Sequence, residues 1–104
     1  MLRWQALQRP SEDYTVFVQL LRDGLLAAQD DAQPRQDTYP TSLWEAGEQV
    51  EDSHTLSIGP ETPPGDYQLI LGLYRAPSGR RLERNDDSAP SDYYTVGTIR
   101  VLER

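Results

Sequence analysis

From Tyr14 onward the side chains change sides at every step, and this alternation limits what the chain can fold into more than any other feature. Tyr14, Val16, Val18 and Leu20 take one side, and Thr15, Phe17, Gln19 and Leu21 the other, in a stretch dominated by β-branched and aromatic types. A period of two in such residues marks a strand, because successive side chains of extended backbone point to opposite faces. Asp23-Gly24 follows directly. That pair tolerates the positive φ of a two-residue hairpin turn, so Leu25 to Gln29 reads as the returning strand. The best helical window, Phe17 to Gln29, is broken by the same dipeptide.

The pattern recurs along the chain. Leu2, Trp4 and Ala6 alternate with Arg3, Gln5 and Leu7, and Val50, Asp52, His54, Leu56 and Ile58 share one parity. Pro63-Pro64-Gly65 forces a turn before Asp66–Tyr74, which is apolar on nearly both faces, as a central strand is. Pro77-Ser78-Gly79 turns the chain again towards Arg81-Leu82-Glu83. The last strand covers Tyr94–Leu102, with a bulge at Gly97 where the core parity shifts. About seven short strands separated by turns predict an all-β fold, an antiparallel immunoglobulin/fibronectin-III-like β-sandwich, with a small closed barrel as the alternative. Tyr67, just after Pro64-Gly65-Asp66, fits the tyrosine corner of such sandwiches, a stabilising device. The expected core is Trp4, Val16, Val18, Leu20, Leu56, Leu69, Leu71, Leu73, Ile99 and Val101. Asp31–Leu43 and Arg84–Asp92 read as irregular, the second as the most mobile stretch.

Size and composition remove many chemistries. The 104 residues suit a single domain spanning 1–104. A compact monomer of this mass has a surface of roughly 5,900 Å², against roughly 17,000 Å² for the unfolded chain, so one continuous core is feasible. There is no Cys, which excludes disulfides, Cys-based zinc or iron–sulfur sites and a thiol nucleophile. The single His54 excludes any site needing two imidazoles, and no cofactor is expected. The net charge is -7, and all ten cations are Arg, mostly scattered. That distribution speaks against nucleic acid and against anionic membrane surfaces. No apolar run approaches the roughly 20 residues of a membrane span, so direct membrane insertion of this segment is not expected.

The remaining candidates are few. A glycosidase-type carboxylate pair needs a cleft and one buried acid, whereas the acids here fall mainly in turns and on solvent faces. A Ser-His-Asp arrangement lacks a nucleophile elbow, and His54 reads as a half-buried, hydrogen-bonded imidazole at the end of the sandwich. Asp30-Asp31, Asp86-Asp87 and Asp92 offer oxygens for Ca²⁺ only where their loops meet, and match no EF-hand spacing; no metal site is assigned. Aromatic faces flanked by acids suit sugar rings. Trp4, Trp44, Tyr39, Tyr93 and Tyr94 supply such faces, although a core role suits each of them better. The candidate ligand-binding residues are Tyr39, Trp44, Asp30 and Asp31.

Three ordered groups of residues form a larger pattern. They are Trp4-x-Ala6 with Asp13–Leu20, Asp23-Gly24 and Ala28-Gln29-Asp30; then Tyr39–Trp44 with Gly47-Glu48 and Val50-x-Asp52; then Pro63–Tyr67 through Gly72-Leu73-Tyr74. Together, from Trp4 to Val101, they resemble the C-terminal extracytoplasmic β-sandwich domain of bacterial, Chloroflexi-type, multi-spanning membrane glycosyltransferases of the dolichyl-phosphate-mannose-dependent type. The resemblance implies a segment of a larger membrane protein, held at the extracytoplasmic face of the cell membrane. The catalytic residues of that family lie in its membrane part, so none is carried onto this segment. It implies a non-catalytic accessory or interaction domain whose partners are a glycan or protein acceptor, or the membrane part of its own parent chain. The alternative is a free-standing carbohydrate-binding or adhesion module; a small enzyme is a third reading.

Overall fold

The computed structural model describes residues 1–76, 78–83 and 92–102. The described residues are mostly strand: β1 Leu2–Gln5, β2 Thr15–Arg22, β3 Leu25–Ala32, β4 Gln49–Asp52, β5 Gly65–Arg75, β6 Arg80–Arg81 and β7 Tyr94–Val101. They form two antiparallel sheets, an arrangement compatible with an all-β sandwich. β1 pairs with β4 in one; β3, β2 and β5 run side by side in the other. The far side of β5 is shared, with β7 along Gly65–Leu71 and β6 at Tyr74 and Arg75. The expected irregular segment Arg84–Asp92 lies, apart from Asp92, outside the described residues, as does Pro77.

The Asp23-Gly24 hairpin forms as its residue types dictate. Both residues have positive φ, 52° and 77°, and Arg22 pairs with Leu25 across the turn. The bulge expected at Gly97 is also present: Leu69 pairs with Gly97 and Ile70 with Thr95, leaving Val96 as the extra residue. The Tyr67 hydroxyl donates to the Pro63 carbonyl at 2.6 Å, tying the turn before β5 to the strand it starts. Arg22 spans the same turn, donating to the Pro64 carbonyl at 2.9 Å with its guanidinium over the Tyr67 ring.

β2 is the buried axis of the molecule. Val16, Val18 and Leu20 lie opposite Leu73, Leu71 and Leu69 on the sheet face towards β4, and all three are buried. Phe17 is buried on the other face (1% exposed) opposite Gly72. Its ring occupies the space a side chain at Gly72 would need: a Cβ there would sit 2.6 Å from Phe17 Cε1. The Arg81 guanidinium caps the outer side of that ring, 4.2 Å from its centroid. An aromatic ring laid over a cross-strand glycine thus replaces a second layer on this face.

Several expectations are corrected. The strand expected over Val50–Ile58 ends at Asp52, where the inward parity passes from apolar to polar side chains. Leu56, Leu69, Leu71, Leu73, Val101 and Trp4 are half-buried and Ile99 is 39% exposed. The cause is width. A layer of two four-residue strands cannot cover a sheet that runs from β3 to β7. The buried set instead takes in Ala6, Phe17, Trp44, Val50, Tyr67 and Ile70. The surface is correspondingly large, 7329 Å², about a quarter above the roughly 5,900 Å² of a compact monomer of this mass.

Candidate functional site

The densest chemistry lies where the two sheets meet. β4 ends with Asp52 turned inward, and two residues on His54 follows it to the same side. His54 Nε2 lies 2.7 Å from Asp52 Oδ2, and its Nδ1 lies 2.8 Å from Oδ2 of Asp30 on β3. The imidazole therefore bridges the two sheets. Trp4 on β1 adds an indole N–H to Asp52 Oδ2 at 3.1 Å, and the Arg35 backbone N–H reaches Asp52 Oδ1 at 2.8 Å. The Asp52 side chain is closed to solvent and that of His54 is 4% exposed; only Asp30 is a third open. A carboxylate so placed requires all of these donors, since an unpaired buried charge is costly.

A short helical turn, Pro34–Asp37, supplies one of the donors by an unusual route. Arg35, Gln36 and Asp37 have φ of 54°, 54° and 66°, the left-handed region, although none is glycine. The Asp37 carboxylate accepts the Gln33 N–H at 2.7 Å and the Thr38 hydroxyl donates to the Arg35 carbonyl at 2.6 Å, so the turn is held from within. It turns the Arg35 N–H towards Asp52, while Arg35 Nε donates to the Glu51 carbonyl at 3.2 Å.

Beside it lies an aromatic cluster. Trp44, Ala6 and Val50 form a buried group with Trp4 and Tyr39 packed on it. The Trp44 indole N–H donates to the Tyr39 carbonyl at 3.2 Å, and the two rings are tilted, with centroids 6.4 Å apart. The Tyr39 hydroxyl donates to Glu48 Oε2 at 2.7 Å. That bond pushes the Tyr39 phenol above its ordinary range. The Glu45 backbone N–H, then the Tyr39 hydroxyl, hold the Glu48 carboxyl below its own. Close by, the Ser42 hydroxyl and then its backbone N–H lower the Asp13 carboxyl.

The four sequence-derived ligand candidates thus separate. Trp44 is in the core at 5% exposure. Asp30 holds His54, and Asp31, on the opposite face of β3, accepts the Tyr74 hydroxyl at 3.0 Å. Burial first, and that bond second, raise the Tyr74 phenol. Tyr39 is half-buried over Glu48, with the Arg35 guanidinium 5.7 Å from its ring centroid. What the sequence reading missed is that Asp52 and His54 form one unit with Asp30. The signal was present in the shared parity of Val50, Asp52 and His54, polar residues on a face that continues an apolar one.

Chemically the unit is saturated. An imidazole acting as a base holds an acid with one nitrogen and keeps the other for the proton it removes. Here both nitrogens meet carboxylates. Every buried side-chain polar atom among the described residues has a partner, and among them no group of three acids or imidazoles is arranged to hold a metal. An open groove of about 580 Å³ lies at the far end of the sheet, between Leu25, Leu26, Glu61, Pro63 and Tyr67. It contains none of Asp30, Asp52 and His54. Comparison with family models, curated proteins and solved structures returned no match.

Proposed function

We propose that this chain is a non-catalytic accessory domain of immunoglobulin/fibronectin-III type that works by interaction. We place it at the extracytoplasmic face, appended to a membrane-bound glycosyltransferase of the dolichyl-phosphate-mannose-dependent type. The observation that carries the interaction reading is the contrast between its polar and apolar groups. The one imidazole and the acids converging on it are spent on each other, while apolar side chains along β7 and at the β2–β3 hairpin stay open to water. Leu25 is 74% exposed. The transferase setting rests on the ordered motifs from Trp4 to Val101 and on nothing in the geometry. Within this reading Tyr39 and Asp31 are the accessible candidates for a glycan or protein acceptor; Trp44 packs against Tyr39, and Asp30 is engaged by His54.

The test is to express the segment separately and ask whether it co-purifies with the detergent-solubilised membrane part of its parent chain. Retention by that part supports the reading. A parent gene without a multi-spanning region overturns the transferase setting. Glycan-array binding that Tyr39→Ala abolishes, in a chain without a membrane parent, selects the free-standing carbohydrate-binding module instead.

A further inference from the structure

A buried imidazole between two acids poses a problem of proton count. A neutral ring has one N–H and one bare nitrogen, so it donates to one carboxylate and turns a lone pair on the other. Both contacts at His54 are nevertheless short, 2.7 Å to Asp52 and 2.8 Å to Asp30, and its side chain is only 4% exposed. Two such contacts need two protons. The surroundings point to where the second one sits. Asp52 receives the Trp4 indole N–H on Oδ2 and the Arg35 backbone N–H on Oδ1. Both groups can only donate, one at each oxygen, which suits a carboxylate and not a carboxylic acid. Asp30 is a third open, so its carboxylate keeps part of its hydration. β2 presents Val16 and Val18 on that side, neither of them charged. The Arg35 guanidinium is directed to the Glu51 carbonyl and the Tyr39 ring. Among the described residues no Arg is ion-paired with Asp30 or Asp52. The ring itself is the group left to carry the positive charge.

We propose that His54 is doubly protonated in the native state and that its second proton fastens the two sheets, taken up on folding and released at alkaline pH. No backbone ladder joins the β1–β4 pair to the broad sheet, so the Asp30–His54–Asp52 bridge is a clasp made of side chains. With the proton in place each acid faces an N–H; without it, one acid faces a bare nitrogen in a site nearly closed to water, and attraction becomes repulsion. The Pro34–Asp37 turn hangs from the same Asp52 through the Arg35 N–H, so the clasp also bears on the segment that lays Arg35 over Tyr39. This goes beyond the accessory-domain reading and does not depend on it, since it concerns the fastening of the layers and needs no transferase.

Urea unfolding followed by tryptophan emission, at a series of pH values, tests the clasp. The chain has one His, no Cys and no Lys, so apart from the terminal amine no other group type ordinarily titrates between about pH 6 and 9. The imidazole of the unfolded chain is already mostly neutral at about pH 7.5. The native state then binds one proton more than the unfolded state, and stability falls as pH rises. The unfolding constant is expected to increase about tenfold from about pH 7.5 to 8.5. In Asp30→Asn the amide N–H donates to the ring, so a neutral imidazole satisfies both contacts; this variant is expected to keep the fold and lose the pH slope. The terminal amine is common to both proteins and cancels in the comparison. An increase of less than about threefold in the native chain overturns the proposal, as does a slope that Asp30→Asn leaves unchanged. Nitrogen-15 NMR of the native chain at pH 7 decides independently of any variant: hydrogens on both ring nitrogens support the clasp, and one bare nitrogen overturns it.

Discussion

His54 donates stability through geometry that no other residue type reproduces: two ring nitrogens on opposite sides of a rigid plane, each at hydrogen-bond distance from an acid on a different sheet. Removing it leaves the fully buried Asp52 side chain with two of its three hydrogen-bond partners. Leaving a buried polar group short of a hydrogen-bond partner costs about 1–3 kcal/mol. His54→Ala is therefore expected to lose stability on that scale in urea titration, and a loss below about 1 kcal/mol would count against the bridge. Glu48 provides a milder test. Its carboxyl is held low by the Glu45 N–H and then by the Tyr39 hydroxyl. A carboxyl lowered on folding contributes stability above its unfolded value and loses it as pH falls through its folded one. Tyr39→Phe is expected to move the Glu48 midpoint part of the way up, read by NMR titration. It does not move it fully, because the larger contribution, the Glu45 backbone donor, remains.

At the scale of elements, the strands were legible wherever one physical rule acted alone. The β2–β3 hairpin follows from alternation and Asp23-Gly24, and the β7 bulge from a parity shift beside Gly97. The rule failed over Val50–Ile58. Two acids and an imidazole, drawn together by pairing across sheets, took the chain out of the ladder after Asp52. It was also silent on Phe17, whose burial depends on Gly72 being opposite, a fact of register that no single strand contains. Least legible was Pro34–Asp37. Nothing in Pro-Arg-Gln-Asp announces three left-handed residues, because beside its own internal bonds the turn is fixed by Asp52, which only the fold brings next to the Arg35 N–H. Left-handed backbone costs a non-glycine residue roughly 1–2 kcal/mol, partly offset in glycine by a freer unfolded chain. Gln36→Gly is accordingly expected to stabilise by about 1 kcal/mol and raise the melting temperature by ~4–8 °C. An unchanged or lowered melting temperature would show that the turn is not under that strain.

At the scale of the whole molecule, the same residues explain why the core estimate was too generous. Period-two reading assigns an inner face to every strand, including β7, but it cannot count how many strands the opposing layer has. Ile99 and Val101 have the correct parity, yet little lies above them. The Cα radius of gyration of 14.8 Å also exceeds the roughly 13 Å typical of a compact domain of about 100 residues. The candidate site was half legible for a related reason. Tyr39, Trp44, Asp30 and Asp31 are indeed where aromatic and acidic groups gather, but their partners are decided by layer contacts between distant segments.

Both tryptophans belong to the narrow layer and its junction, Trp4 through the indole bond to Asp52 and Trp44 in the buried group with Ala6 and Val50. The broad sheet has none. Indole emission is therefore a local gauge of the small layer, whereas the far-UV signal weighs mostly the broad one. The small layer is fastened by a few polar bonds instead of a wide apolar seam, and is expected to peel away first on warming. The emission curve then falls at a lower temperature than the ellipticity curve; coincident curves would mean that the two layers melt as one body.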